Sequence, residues 1–139
     1  MNIKHHFGTT FICLFILWLF SLYFDLGITI TSIIVALTFC LFPDFDLRAG
    51  THRNFLAHSI TIWIIVFAFN PSIITVMMCV GTGFHCIEDI RFRKSKMRGY
   101  YTIKLIGNKQ LLSGYLSTLY LIINFIISII LLGAWLVYV

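Results

Sequence analysis

Charged residues are scarce in this chain. They make up 11% of its 139 residues, whereas 60% are hydrophobic and the mean hydropathy is +0.97. A soluble domain carries about 25% charged residues, so this small number could not cover a water-facing surface. The composition therefore predicts an integral membrane protein, and the length suits one domain over residues 1–139.

Proline is also rare, with two residues, and no two of the four cysteines have C-x-x-C spacing. The cysteines lie in apolar stretches, so we interpret them as reduced core residues and predict no disulfide framework. With so few breaks, the apolar sequence runs in five long stretches, at about residues 7–24, 26–42, 55–69, 72–87 and 111–139.

These stretches predict helices that cross a membrane. A spanning helix needs roughly 20 apolar residues, a length that the first, second and fifth stretches approach or exceed. The third is short, and the third and fourth could instead form a hairpin around Asn70 and Pro71. The expected fold is an all-α polytopic transmembrane bundle of four to five spans, with five favoured.

The basic residues predict the orientation of this bundle. If the N-terminus is cytoplasmic and five spans alternate, all ten Lys and Arg residues fall on one side. Lys4 precedes the first span, Arg48 and Arg53 lie in the next loop on that side, and the other seven lie between residues 91 and 109. Because cytoplasmic loops are enriched in Lys and Arg, the N-terminus is expected in the cytoplasm.

Histidine and acidic residues are concentrated at the cytoplasmic ends of the predicted helices. They fall in three clusters, at residues 42–46, 52–59 and 85–89, and His5 and His6 lie at the same depth. Ionisable residues near membrane depth are costly and usually functional. Separate segments thus bring metal-ligand residue types to one place, which predicts a metal site on the cytoplasmic side.

The spacing within the clusters can be tested against helix geometry. His85 and Asp89 are four residues apart, so on a helix they share one face and can chelate a cation. His52 and His58 are six apart and cannot both bind from one helix, so we expect His52 in the loop and His58 in the first turn of the third span.

Asp44 and Asp46 lie beside Pro43, where a turn would let the two carboxylates converge. Two loop aspartates can equally be solvated turn residues, and a histidine near a helix end can be an interfacial residue. These alternatives remain open for each residue taken alone.

Imidazole and carboxylate ligands together suit Zn²⁺, with Mn²⁺ or Fe²⁺ as alternatives. Such a metal activates water for hydrolysis. Glu88 could then act as a general base or orient a histidine ligand. Arg53 could bind a phosphate or carboxylate in a bidentate manner, or could serve only as a cytoplasmic topology signal.

The basic segment after the last cluster predicts a lipid partner. Its cations are suited to bind anionic headgroups, namely Arg91, Arg93, Lys94, Lys96 and Arg98. Each Lys or Arg near an anionic membrane surface contributes about 1 kcal/mol to binding. The alternative is that they only set the topology. Nucleic acid is not expected as a partner of a short loop between two spans, and an oligomer or protein partner is left open.

The three clusters together resemble a known family. Phe-Pro-Asp-Phe-Asp at 42–46, His-Arg-x4-His-Ser at 52–59 and His-x3-Asp at 85–89 are similar to motifs of the YdjM-like inner-membrane proteins, also called LexA-binding and classed as metal-dependent hydrolases. The resemblance covers residues 42–89, with a weaker match at His5 or His6. It implies a bacterial inner-membrane location and the following metal ligands: Asp44, Asp46, His52, His58, His85 and Asp89.

The chain departs from the family pattern at three places. Leu47 and Ala57 occupy positions where the family has His and Thr, and the basic run from Arg91 replaces the family's Thr-x-x-Gly. The first of these departures removes one expected ligand. The residues and the resemblance together leave two main hypotheses.

The first hypothesis is a membrane-embedded metal-dependent hydrolase that acts on a lipid-borne phosphoester or ester at the cytoplasmic face. The second is a non-enzymatic membrane subunit, regulatory or structural, in which the His and Asp residues form a structural or metal-binding network. A transporter is less favoured, since five spans are few and polar residues do not line the middle of any predicted helix.

Overall fold

The computed structural model describes residues 3–47, 54–90, 103–104, 110–112 and 115–138, apart from the side chains of residues 3–7, 45–47 and 110. Its elements are α1 (Ile3–Phe24), α2 (Ile30–Leu41), a 3-10 helix (Phe42–Leu47), α3 (Thr61–Phe69), α4 (Ile73–Glu88), β1 (Ile103–Lys104), β2 (Gln110–Leu112) and α5 (Tyr115–Tyr138). The predicted helical class is confirmed for this part of the chain. The antiparallel pair of β1 and β2 is an addition that the sequence did not predict.

α4 is the central helix of the fold. It packs against α2 and α5 along much of its length, and also against α1 and α3. Val76, Met77 and Val80 are fully buried and form the core together with residues such as Leu14 and Ala36. α4 begins at a capping box, in which Ser72 and Thr75 bind each other's backbone amides, so the first orphan amides of the helix are satisfied.

Two glycines let the neighbouring helices approach α4 closely. A Cβ atom on Gly81 would collide with the backbone carbonyl of Ala36 in α2, and a Cβ atom on Gly83 would collide with the side chain of Ser128 in α5. Small residues at such contacts allow close approach of helix backbones. The Gly-Thr-Gly segment of α4 therefore fixes how α2 and α5 sit beside it.

Several helix ends differ from the sequence-based expectation. α3 was expected from about residue 55, with His58 in its first turn, but it begins at Thr61 and His58 lies in the preceding turn. That expectation is wrong because residues 55–58 form a turn, in which the His58 amide donates to the Asn54 carbonyl, and the Thr61 amide donates to Ser59 Oγ just before the first helical turn.

The end of α2 and the start of α5 also differ. Pro43 has no amide hydrogen to donate to the carbonyl four residues earlier, and beyond Leu41 the chain continues as the 3-10 helix rather than ending in a turn. The fifth apolar stretch was expected to be helical from residue 111, but Gln110–Leu112 is β2 and the helix starts at Tyr115.

The outer surface of the described residues is strongly apolar. Phe15 and Ile16 of α1, Ile34 of α2, Ile65 of α3 and Ile130 of α5 are all exposed. By length and composition, α5 is the one helix among the described residues that could cross a membrane, and only 22% of its most apolar segment is buried. The helix thus turns most of its apolar surface outward.

Candidate metal centre

Three segments meet at the C-terminal end of α4. His85 lies in the last turn of that helix and Asp89 is its C-terminal cap residue. The 3-10 helix that follows α2 packs against this end and supplies Asp44. The turn before α3 supplies His58.

One carboxylate oxygen faces both imidazoles. Asp89 Oδ2 lies 3.5 Å from His58 Nε2 and 3.8 Å from His85 Nε2. The two imidazole rings are adjacent, with centroids 5.1 Å apart and an interplanar angle of 63°. The second carboxylate of the cluster belongs to Asp44, whose Oδ1 lies 4.0 Å from His85 Nε2.

These separations fit a shared ion better than direct hydrogen bonds. A direct N–H···O hydrogen bond spans about 2.7–3.2 Å, and all three distances are longer. Tetrahedral Zn²⁺ with ligands at about 2.0–2.2 Å holds its ligand atoms about 3.3 Å apart. Small side-chain movements would bring the cluster to that spacing, and His58, His85 and Asp89 form the group that could hold a metal ion.

The cluster is almost completely shielded from solvent. The side chains of His58 and His85 are 0% exposed, Asp89 is 1% exposed and Asp44 is 9% exposed. Burial of charged groups costs several kcal/mol per ion unless it is compensated. A divalent cation held by these side chains would balance the charges of the two carboxylates.

The turn that carries His58 is closed by its own hydrogen bonds. The His58 amide donates to the Asn54 carbonyl at 3.0 Å, and the Leu56 amide donates to Asn54 Oδ1 at 2.9 Å. The Phe55 amide donates to the Lys104 carbonyl at 2.8 Å, which links the turn to β1. These bonds satisfy backbone amides of a segment that lies outside any helix.

Glu88 lies in a second polar cluster between α1, α2 and α4. Its Oε1 accepts a hydrogen bond from Thr10 Oγ1 at 2.9 Å, and its Oε2 lies 3.9 Å from the Cys40 thiol. The Thr10 hydroxyl is also 3.3 Å from Cys40 Sγ. These contacts join Glu88 to α1 and α2, and its role as a general base stays a prediction.

The remaining residues that the sequence singled out are not tested by the structure. Asp46 lies in the 3-10 helix and His5 and His6 lie in α1, but their side chains are outside the described residues. His52 and Arg53 lie entirely outside the described residues. So do the cations proposed to contact lipid, namely Arg91, Arg93, Lys94, Lys96 and Arg98.

Sequence reasoning missed Thr10, Cys40 and Asn124, all of which contact site segments. Asn124 could have been noticed as an amide in an otherwise apolar stretch. Thr10 and Cys40 could not, because buried Thr and Cys are ordinary in apolar helices.

Comparison of the chain with family models, curated proteins and solved structures finds no match. The resemblance to the YdjM-like family therefore stays a prediction that depends on the three motifs alone.

Proposed function

We propose that this chain is a multi-pass membrane protein that binds a divalent metal ion and hydrolyses a lipid-borne phosphoester or ester at the cytoplasmic surface. The observation that carries the proposal is the buried convergence of His58, His85 and Asp89, with Asp44 beside them. The bacterial inner membrane is the proposed location.

The helix lengths support several membrane crossings. At about 1.5 Å per residue, α1 is about 33 Å long and α5 about 36 Å. α2 and the 3-10 helix together reach about 30 Å, with about 2.0 Å per residue in the latter. The hydrocarbon core of a bilayer is about 30 Å thick. α4 is shorter, at about 24 Å, but the other helices surround it.

α3 is too short to cross alone, since nine residues reach only about 14 Å. The non-helical turn before it continues along α4, and such backbone is tolerated at membrane depth where it is buried in protein. His58 and Ser59 in this turn are fully buried. We therefore treat α3 and this turn as one segment that pairs with α4.

The charge pattern supports a cytoplasmic location of the metal site. Asp89 ends α4, and the seven basic residues between 91 and 109 follow it directly in sequence. Basic loops are retained on the cytoplasmic side and attract anionic headgroups. A site next to such a loop would meet lipid headgroups rather than soluble substrates.

Five side chains would have roles in this function. His58, His85 and Asp89 would hold the ion, and Asp44 would complete its ligand set or orient His85. A bound divalent ion would polarise a substrate oxygen and activate a water molecule. Glu88, one residue before Asp89, is the candidate base, and its carboxylate is positioned by Thr10.

Burial favours a second candidate function. Structural metal sites are closed, whereas catalytic sites keep one open position, and His58 and His85 are 0% exposed. A non-enzymatic membrane subunit with a structural metal would account for this burial. The two candidates share the site and differ in turnover.

Metal analysis of the detergent-purified protein tests the metal binding that both candidate functions share. We expect close to one divalent ion per chain in the wild type and in the control variant Asp25→Asn. Asp25 follows the C-terminal end of α1, whereas Thr10 near the other end of this helix contacts Glu88. His85→Ala and Asp89→Ala should lose the ion. A folded wild-type protein that binds no divalent metal contradicts the proposal.

Hydrolysis of phospholipid and phosphoester substrates in mixed micelles separates the two candidates. The enzyme hypothesis expects turnover that disappears in Asp89→Ala and persists in Asp25→Asn. Metal binding without turnover across phosphoester and carboxylester lipids would support the non-enzymatic subunit.

A further inference from the structure

We propose that Asn124 of α5 is a positioning residue that holds His58 in the metal centre. The inference rests on the proposed metal-binding function, but it concerns a helix that supplies no metal ligand among the described residues. Asn124 is 5% exposed. It lies in a stretch of α5 that is otherwise almost entirely apolar.

Both ends of the Asn124 amide have defined partners. Its Oδ1 accepts a hydrogen bond from the Ile60 backbone amide at 3.0 Å. Its Nδ2 donates to the Tyr120 carbonyl at 2.8 Å, one turn earlier in α5. The second bond fixes the orientation of the amide, because a flipped group would point its NH₂ at the Ile60 amide.

The bond to Ile60 occurs where the His58 turn becomes α3. Ile60 is the N-terminal cap residue of α3 and has no side chain that can bind a backbone amide. The first amides of a helix lack intrahelical acceptors, and Asn124 supplies the acceptor from another helix. An asparagine placed at this depth is costly unless its hydrogen bonds are made, and here they are.

Two longer side-chain contacts hold the same turn, one from α5 itself and one from α4. Tyr120 Oη lies 3.5 Å from the Phe55 carbonyl, and Cys86 Sγ lies 3.5 Å from the His58 carbonyl. The turn is thus held on both sides of His58, and the Asn124 bond is the shortest of the three. Loss of this bond would release the C-terminal side of the turn and with it the His58 imidazole.

The test uses three variants of the full-length protein in detergent. Asn124→Leu removes the acceptor with little change in volume. Asn124→Asp keeps an acceptor for the Ile60 amide but loses the Nδ2 donor to the Tyr120 carbonyl, so it is a partial rescue. Ser128→Ala is the matched control, because Ser128 is buried one turn further along α5 and its hydroxyl donates to its own helix at Phe125.

Zinc affinity, measured by competition with a chelating dye, is the first readout. Loss of a supporting partner weakens metal binding by about 10–100-fold. We expect a loss in this range for Asn124→Leu, a smaller loss for Asn124→Asp and wild-type affinity for Ser128→Ala. Equal affinity of Asn124→Leu and the wild type would overturn the inference.

The second readout does not depend on metal. In the metal-free protein labelled with ¹⁵N-histidine, Asn124→Leu should shift or broaden the His58 resonance more than that of the adjacent His85. His58→Gln identifies the resonance. If the wild type binds no metal, the proposed function fails, and this spectrum still decides the positioning role. An unchanged His58 resonance in Asn124→Leu would count against it.

Discussion

The contact between α2 and α4 yields a prediction that links packing to the metal centre. A Cβ atom at Gly81 would meet the backbone carbonyl of Ala36, which no side-chain rotation can move. In Gly81→Ala the two helices must therefore separate, by on the order of 1 Å to restore van der Waals contact. The 3-10 helix continues from α2 and carries Asp44.

The expected magnitude follows from two opposing effects. Alanine is favoured over glycine in a helix by about 1 kcal/mol, and overpacking of a well-packed contact costs about 1–3 kcal/mol. Gly133→Ala in α5 isolates the first effect, since nothing lies within 4 Å of a Cβ atom there. Gly81→Ala should thus be less stable than Gly133→Ala by about 1–3 kcal/mol.

The metal site should also respond. The distance of 4.0 Å between Asp44 Oδ1 and His85 Nε2 would increase as α2 moves away, and binding constellations lose function when ligands move by more than about 0.5 Å. Unfolding in detergent followed by tryptophan fluorescence gives the free energies, and dye competition gives the zinc affinity. Equal unfolding free energies of Gly81→Ala and Gly133→Ala would refute the close contact.

Three further predictions concern other parts of the molecule. Thr10→Val should lower the free energy of unfolding because it removes the hydrogen-bond donor to Glu88. The expected loss is about 1.5–3 kcal/mol, the usual contribution of a hydrogen bond to a charged group. Thr31→Val, at an exposed threonine, is the control and should have little effect. Ile126→Asp places a charge on the exposed middle of α5, and in an insertion assay it should cost about 2.5–3.5 kcal/mol; unchanged insertion would contradict a lipid-facing position. Thermal unfolding should show that the wild type is less stable with a chelator than with metal at 100 times its dissociation constant, by about 2.7 kcal/mol. The stability of Asp89→Ala should be the same in both conditions.

Much of the helical architecture could be predicted because it depends on local patterns. The long apolar stretches gave α1, α2, α4 and α5 within several residues. The pairing of His85 with Asp89 followed from their spacing on one helix, since a four-residue separation fixes a common face whatever the packing.

Contacts between distant segments could not be predicted in this way. The bond from Thr10 to Glu88 joins α1 to α4, and that from Ile60 to Asn124 joins the His58 turn to α5. Neither spacing nor composition specifies which helix faces which. The glycines Gly81 and Gly83 permit close approaches of α2 and α5 to α4, but the sequence does not show which helix a glycine faces.

The break before α3 explains how His58 comes to lie beside His85 and Asp89. Phe67 of α3 packs on the core, and Ile60, the N-terminal cap residue seven positions earlier, points the same way and is 1% exposed. Each residue of a helix turns the side-chain direction by about 100°, so a continued helix would place His58 about 200° from Ile60 and away from α4. Because the helix begins only at Thr61, the His58 imidazole instead turns inward to within 3.5 Å of Asp89. The start of α3 at Thr61 therefore lets His58 face Asp89, and the Asn124 bond to Ile60 lies at this same point of the chain.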